Sequence, residues 1–433
     1  MKKKLCFVLL SFCFVFCGFS TCVKAPISEQ ACETETADNE LPAQSTQKEI
    51  LQKRAVEIAA SMSLTEKIYQ LLVLSVSGNS LKTVRAGKFR FAPGGVILFK
   101  FNFADTAETV YDFITAYEKK FEANTKKSAP VYAMYIPPFF ATDNEGGAVF
   151  RTSRVTSHLP FANDIAKNFS PLDAQKLFTL QSHQMAALRL SMNLAPICET
   201  GDFTTAVMGK RLFSDDTDSV ADYTTRFINA YKADGIACVV KHFPGSGNAD
   251  THRSISKITG SYNDVVTACE SFRAPLRAAQ AVMLSHTIVE CFDDKPFCLS
   301  PEGIDFLKTE FRYDGIVMSD DIIMKALRPY AENYSDLAYH LISAGCDMIL
   351  YSANDFPLLV DGLLAKAQTD EAFSNRITEA VTTVLRVKLE NGLIDENGET
   401  RTEESFNKNY FDAEYFYDAK EKANRLLREK NLH

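Results

Sequence analysis

Apolar residues gather in eight short runs, at 71–76, 95–99, 138–142, 192–197, 236–241, 281–286, 315–319 and 347–351. Each run leads through a polar or glycine-rich turn into a stretch with the 3.6-residue period of an amphipathic helix. Buried strands alternating with helices predict a parallel sheet, and eight such units predict closure into a single (β/α)8 TIM-type barrel. An open doubly wound sheet is the competing arrangement. Its dinucleotide-binding version needs G-x-G-x-x-G after the first strand, and the chain has none there. Ahead of the first run a helix is expected from near Thr46, with Ile50, Leu51, Ala55, Ile58 and Ala59 on one face. Ser63 and Glu66 form a capping box for the next helix. The last barrel helix is expected over 376–390, apolar at Ile377, Ala380, Val381, Val384 and Leu385, with Gly392 as its stop. The barrel is thus assigned to 46–397, and 398–433 to a charged helical tail packed on it.

The beginning of the chain breaks this pattern. Lys2, Lys3 and Lys4 precede an apolar stretch that runs from Leu5 to Ser20, which reads as an export signal too short to be a spanning helix. The sequence FSTC, ending at Cys22, looks like a relaxed bacterial lipobox, so residues 1–22 are assigned as a lipoprotein-type signal with Cys22 as the lipid anchor. A plain secretory signal cut near Ala25 is the alternative. Residues 23–45, rich in Glu, Thr, Ala, Ser and Gln, offer little to bury and are read as a disordered linker.

Composition narrows the partners. A net charge of −8, with no long basic run beyond the leader, argues against nucleic acid. There is no tryptophan, so any ring that stacks on a sugar must come from the 32 Phe and 16 Tyr. Of 11 cysteines, five lie before residue 33. The other six (Cys198, Cys238, Cys269, Cys291, Cys298 and Cys346) are scattered, several of them inside apolar runs, as suits small buried hydrophobes. An oxidising compartment would permit Cys291 and Cys298 to pair.

Polar residues at the ends of the apolar runs carry the candidate chemistry. Asp143, Lys241, His242, His286 and Asp320 each close a run. In a barrel those ends converge on the face where active sites are built. The fifth run opens into VVKHFPGSGNADTH at 239–252. There Asp250, two residues before His252, can accept the imidazole N–H, set its tautomer and raise its pKa. His252 would then exchange protons near neutral pH. A solvated surface loop is the bland alternative. A metal site of His242, Asp250 and His252 is a third reading, with no further ligand pair at suitable spacing to support it.

Taken whole, K-H-F-P-G-x-G followed by D-T-H resembles the signature of the family 3 glycoside hydrolases, in particular their β-N-acetylglucosaminidase branch. Four further segments resemble that family in the same order: DNEGGAVFR at 143–151, MNLAP at 192–196, GKRLFSD at 209–215 and DGIVMSDDIIM at 314–324. The resemblance implies Asp320 as nucleophile and His252, oriented by Asp250, as acid/base. It also implies Asp143, Arg151, Arg211, Lys241 and His242 as ligands of the sugar, with no metal and no organic cofactor. Asp321, next to Asp320, is expected to be structural, since adjacent extended residues point opposite ways. Three departures stand out: Ser246 where G-H-G is common, Cys198-Glu-Thr in place of V-L-D, and no Pro-ended run after His252.

The expected activity is removal of terminal β-linked N-acetylglucosamine from peptidoglycan or other glycan fragments by double displacement. The expected location is the periplasm or cell envelope, with membrane contact only through Cys22. A phosphorylase is an alternative, because a neutral His repels phosphate less than a carboxylate does. A non-catalytic sugar-binding lipoprotein is another, though such a protein has no need for Asp320, Asp250 and His252 together.

Overall fold

All eight apolar runs become strands of one parallel sheet. A computed structural model of the chain describes residues 43–129, 134–201, 208–246, 255–395 and 411–432. The strands are β1 (Leu72–Ser75), β2 (Gly95–Ile97), β3 (Phe139–Thr142), β4 (Met192–Asn193), β5 (Ala237–Phe243), β6 (Ala281–Leu284), β7 (Ile316–Ser319) and β8 (Ile349–Tyr351). They neighbour one another in the order β7-β6-β5-β4-β3-β2-β1-β8, and a bridge between Met318 and Met348 joins the two ends. The sheet is therefore a barrel, as the alternation predicts, and the open doubly wound arrangement is set aside. Helices surround it, among them Ala107–Ser128, Pro171–Ala187, Thr217–Ala233 and Glu371–Glu390.

Where strands stop short of the apolar runs, the reason is local. β4 ends at Asn193 rather than Ile197 because Pro196 has no N–H to give a ladder. The chain still bridges β5 through Ile197 and Lys241. The first helix starts at Ala43, ahead of Thr46, and the last barrel helix starts at Glu371, ahead of Arg376. The latter begins early because Asp370 caps it, accepting from the Phe373 N–H at 3.0 Å. Its end is as expected: Gly392 takes φ of 60°, a left-handed conformation that suits glycine. The Ser63–Glu66 capping box forms in full.

The tail contributes the helix Ala413–Glu429, which lays Phe416, Ala419, Ala423 and Leu427 inward against the helix Pro171–Ala187. Five of the six described cysteines are buried and all six are free thiols, so the Cys291–Cys298 pairing is not formed.

At the seam between β7 and β8, backbone and side chains bond together. The N–H groups of Ser319 and Ile322 donate to the Met348 and Leu350 carbonyls, those of Asp347 and Met348 donate to the Val317 carbonyl, and side chains add to these. The Val317 N–H donates to Asp347 at 3.0 Å and the Leu350 N–H to Ser319 Oγ at 3.2 Å. Arg376 holds the other oxygen of Asp347 at 2.6 Å.

Candidate active site

The C-terminal ends of β3, β5 and β7, with the loop after β4, bring one group of charged side chains together. After β3 the chain folds into a small hairpin, Asn144–Gly146 against Val149–Phe150, which the apolar pattern did not reveal. Gly146 and Gly147 turn it with φ of 105° and 57°. A Cβ at either would come within 2.2 Å of Pro160 or Phe161, so the glycines make room for the chain's own 159–161 segment rather than for a ligand. Asn144 pins the hairpin, its side chain donating to Thr152 Oγ1 at 2.8 Å and its N–H to Asn193 at 3.0 Å.

Residues two apart in such a strand share a face, so Asp143 and Glu145 project together. Lys241, at the end of β5 and 2% exposed, lies between them, 2.9 Å from Asp143 and 2.6 Å from Glu145. Arg211 grips Glu145 bidentately, at 2.8 Å and 2.9 Å. Burial alone would raise the Glu145 carboxyl, but Lys241 and Arg211 outweigh it and hold it down at about 2. Beyond Asp143 lies Arg151, at 3.7 Å, too far for a hydrogen bond. Its buried Nε finds no hydrogen-bond acceptor among the described residues.

On the other side of Lys241, His242 turns its Nδ1 to Glu199, at 2.9 Å. The same carboxylate accepts from the N–H of His242 and from both the N–H and Oγ of Ser246. Phe243, fully buried, anchors this stretch among Phe272, Phe297, Phe306 and Phe311, with ring centroids 5.3 to 6.1 Å away.

The adjacent carboxylates after β7 divide as alternation predicts. Asp321 is fastened to β8: it accepts from the N–H groups of Ile323 and Ser352 and from the Ser352 hydroxyl. Burial and the charge of Asp320 raise its carboxyl against those hydrogen bonds. Among the described residues Asp320 keeps one hydrogen bond, from the Asp321 N–H at 2.7 Å. Burial would raise it too, yet His286, His242, the Asp321 amide and Lys241 together lower it. His286 is buried at the end of β6, its Nδ1 3.5 Å from Cys298 Sγ.

The structure thus gathers Asp143, Arg151, Arg211, Lys241, His242 and Asp320 at one face, while Asp250, His252 and Cys22 lie outside the described residues. Glu145, Glu199 and His286 belong to the same cluster. No group of three or more potential metal ligands occurs among the described residues. The arrangement suits a polyhydroxylated ligand: paired carboxylates accept from hydroxyls, and guanidinium and ammonium groups donate to them.

Cations and carboxylates packed at the strand ends of a parallel barrel suit a glycosidase. The chain belongs to glycosyl hydrolase family 3, whose N-terminal domain model matches residues 63–387. It is similar to a beta-hexosaminidase of Stenotrophomonas maltophilia, 31% identical over 316 residues, which are 69% of this chain and 87% of that one. A beta-hexosaminidase of Photobacterium profundum is 29% identical over 60% of this chain and 75% of its own length. Among solved structures, a family 3 beta-N-acetylglucosaminidase from a Paenibacillus species shares the fold with a TM-score of 0.70. It is 21% identical and covers 85% of this chain and 69% of its own. A beta-N-acetylhexosaminidase from Beutenbergia cavernae gives a TM-score of 0.62 at 25% identity, over 75% of this chain and 98% of its own.

Proposed function

We propose that the protein is a retaining β-N-acetylglucosaminidase that removes terminal N-acetylglucosamine from peptidoglycan or other glycan fragments outside the cytoplasm. The observation that carries this reading is the sorting of the two adjacent carboxylates. Asp321 is bound into the barrel wall, whereas Asp320 keeps its charge beside His286, His242 and Lys241 and, among the described residues, bonds only to its neighbour's amide. Asp320 attacks the anomeric carbon, and His252, oriented by Asp250, protonates the leaving oxygen. The same His then takes a proton from water, which releases the sugar with its configuration retained. Asp143, Arg151, Arg211, Lys241 and His242 hold the sugar, and Glu145 fixes Arg211 and Lys241. The names of the similar proteins support N-acetylhexosamine as the sugar cleaved.

The test is an assay on 4-nitrophenyl N-acetyl-β-glucosaminide beside the plain β-glucoside. The first should be cleaved faster by roughly 10²-fold, since a site built around a polar substituent penalises its loss. Proton NMR should show the β-anomer as first product, at a rate independent of phosphate. Equal cleavage of the two glycosides would remove the substrate assignment. Release of a sugar 1-phosphate only when phosphate is present would make the enzyme a phosphorylase.

Export and anchoring are proposed from the leader, with Cys22 as the lipidated residue. The unaltered protein should then partition into detergent-extracted membranes, and Cys22→Ser should move it to the soluble fraction or block its processing. Unaltered protein found wholly in the soluble fraction would leave ordinary secretion as the account.

A further inference from the structure

We infer that Glu199 is a positioning residue of this site: an anionic clamp that sets His242 against the sugar and fixes the chain at Ser246. The inference rests on the glycosidase reading above and adds to it a residue that touches neither substrate nor reacting atoms. Glu199 is 8% exposed on the loop after β4. The backbone of Cys198, just before it, is held from both sides. The Cys198 N–H donates to Lys241 O at 2.9 Å, and Ser271 Oγ donates to Cys198 O at 2.6 Å. The Glu199 carboxylate receives four donors. Oε1 accepts from the His242 N–H (3.1 Å), His242 Nδ1 (2.9 Å) and Ser246 Oγ (2.9 Å), and Oε2 from the Ser246 N–H (2.7 Å).

Three features separate this from ordinary core satisfaction. Both oxygens are occupied by donors and burial is outweighed, so the group stays ionised and cannot serve as a proton donor in the reaction. Binding through Nδ1 fixes the plane of the His242 ring and leaves Nε2 as the ring nitrogen not committed to Glu199. Ser246 is four positions ahead of Asp250 in the sequence, so one carboxylate holds both a sugar ligand and the entry to the segment that carries the acid/base pair. A serine at 246 is short, and the longer arm of Glu rather than Asp at 199 closes the distance to it.

Glu199→Gln offers one acceptor oxygen where two are needed and presents an NH2 group to N–H donors. Losing charge-assisted hydrogen bonds of this kind should raise KM for 4-nitrophenyl N-acetyl-β-glucosaminide, and the inhibition constant of N-acetylglucosamine, by roughly ten- to a hundredfold. Neither constant depends on the fraction of enzyme that is folded, so a purely structural role would leave both unchanged. A second variant tests the geometry and stands alone if Glu199→Gln does not fold. Glu199→Asp should show the same rise, because its carboxylate keeps its charge but retreats by one methylene from His242. Constants within about twofold of wild type for folded Glu199→Gln or for Glu199→Asp would overturn the inference. A wild-type enzyme inert on the glycoside would remove the functional reading and this inference with it, whereas an active wild type with unaffected variants would remove only the latter.

Discussion

Asp320→Asn is expected to lower turnover of 4-nitrophenyl N-acetyl-β-glucosaminide by about 10³-fold or more, with the unfolding midpoint near that of wild type. The amide keeps the shape of the side chain and an oxygen for the Asp321 N–H, so little of the fold depends on the charge. What disappears is the nucleophile. Asp321→Asn should behave in the opposite way. It weakens bonds to Ser352 and Ile323 and should cost roughly 1–3 kcal/mol of stability, while the folded fraction keeps its activity. Near-normal turnover for Asp320→Asn, beside a folded but dead Asp321→Asn, would reverse the assignment. The pH profile adds a second check. Burial would raise the Asp320 carboxyl, but His286, His242, the Asp321 amide and Lys241 together lower it. The ionised, active form is therefore lost only as pH falls through a value below the ordinary aspartate range. The acid limb of kcat/KM should lie there rather than near pH 4 or above.

His252→Ala should separate substrates by their leaving groups. An acid matters most when the departing oxygen is strongly basic, whereas a dinitrophenolate leaves with little need of a proton. Loss on a natural disaccharide should therefore exceed loss on a dinitrophenyl glycoside by a factor approaching roughly 10²–10⁴, the usual worth of general acid–base assistance. On the activated substrate the glycosyl–Asp320 ester should accumulate, because the same His activates the water that hydrolyses it. Azide needs no deprotonation, so its addition should restore turnover and yield a β-glycosyl azide. Asp250→Asn should give a weaker version of this behaviour, since it disturbs only the tautomer and charge of the ring. Equal losses on both substrates without azide rescue would place the acid/base elsewhere.

Much of the architecture was legible because strand burial is a local property. Apolar runs such as 236–241 and 281–286 announce β5 and β6 without reference to anything distant. What escaped depends on partners far away in the chain. Glu199 stood out in the sequence only as a departure from a motif, since its partners His242 and Ser246 come more than 40 positions later. Glu145 could have been found, because its spacing of two from Asp143 puts both on one face of an extended segment. Lys388 is a similar case. It continues the apolar stripe of Val384 and Leu385, yet it is fully buried, with its amine on Gln70 at 2.6 Å and the Pro137 carbonyl at 2.7 Å. Burial pushes that amine well below the usual lysine range. No local pattern distinguishes such a lysine from a solvated one.

The position of Asp321 ties two requirements together. Asp321 ties the chain after β7 to the end of β8 through Ser352, and its next-door neighbour is the proposed nucleophile. Alignment of the attacking oxygen and closure of the ring thus share a single peptide link. A mutational screen scored on rate alone would pick out Asp320 for its chemistry, and one scored on melting temperature alone would pick out Asp321 as a rivet. Comparing each variant's melting curve with its rate, at a temperature where both are folded, is what tells them apart.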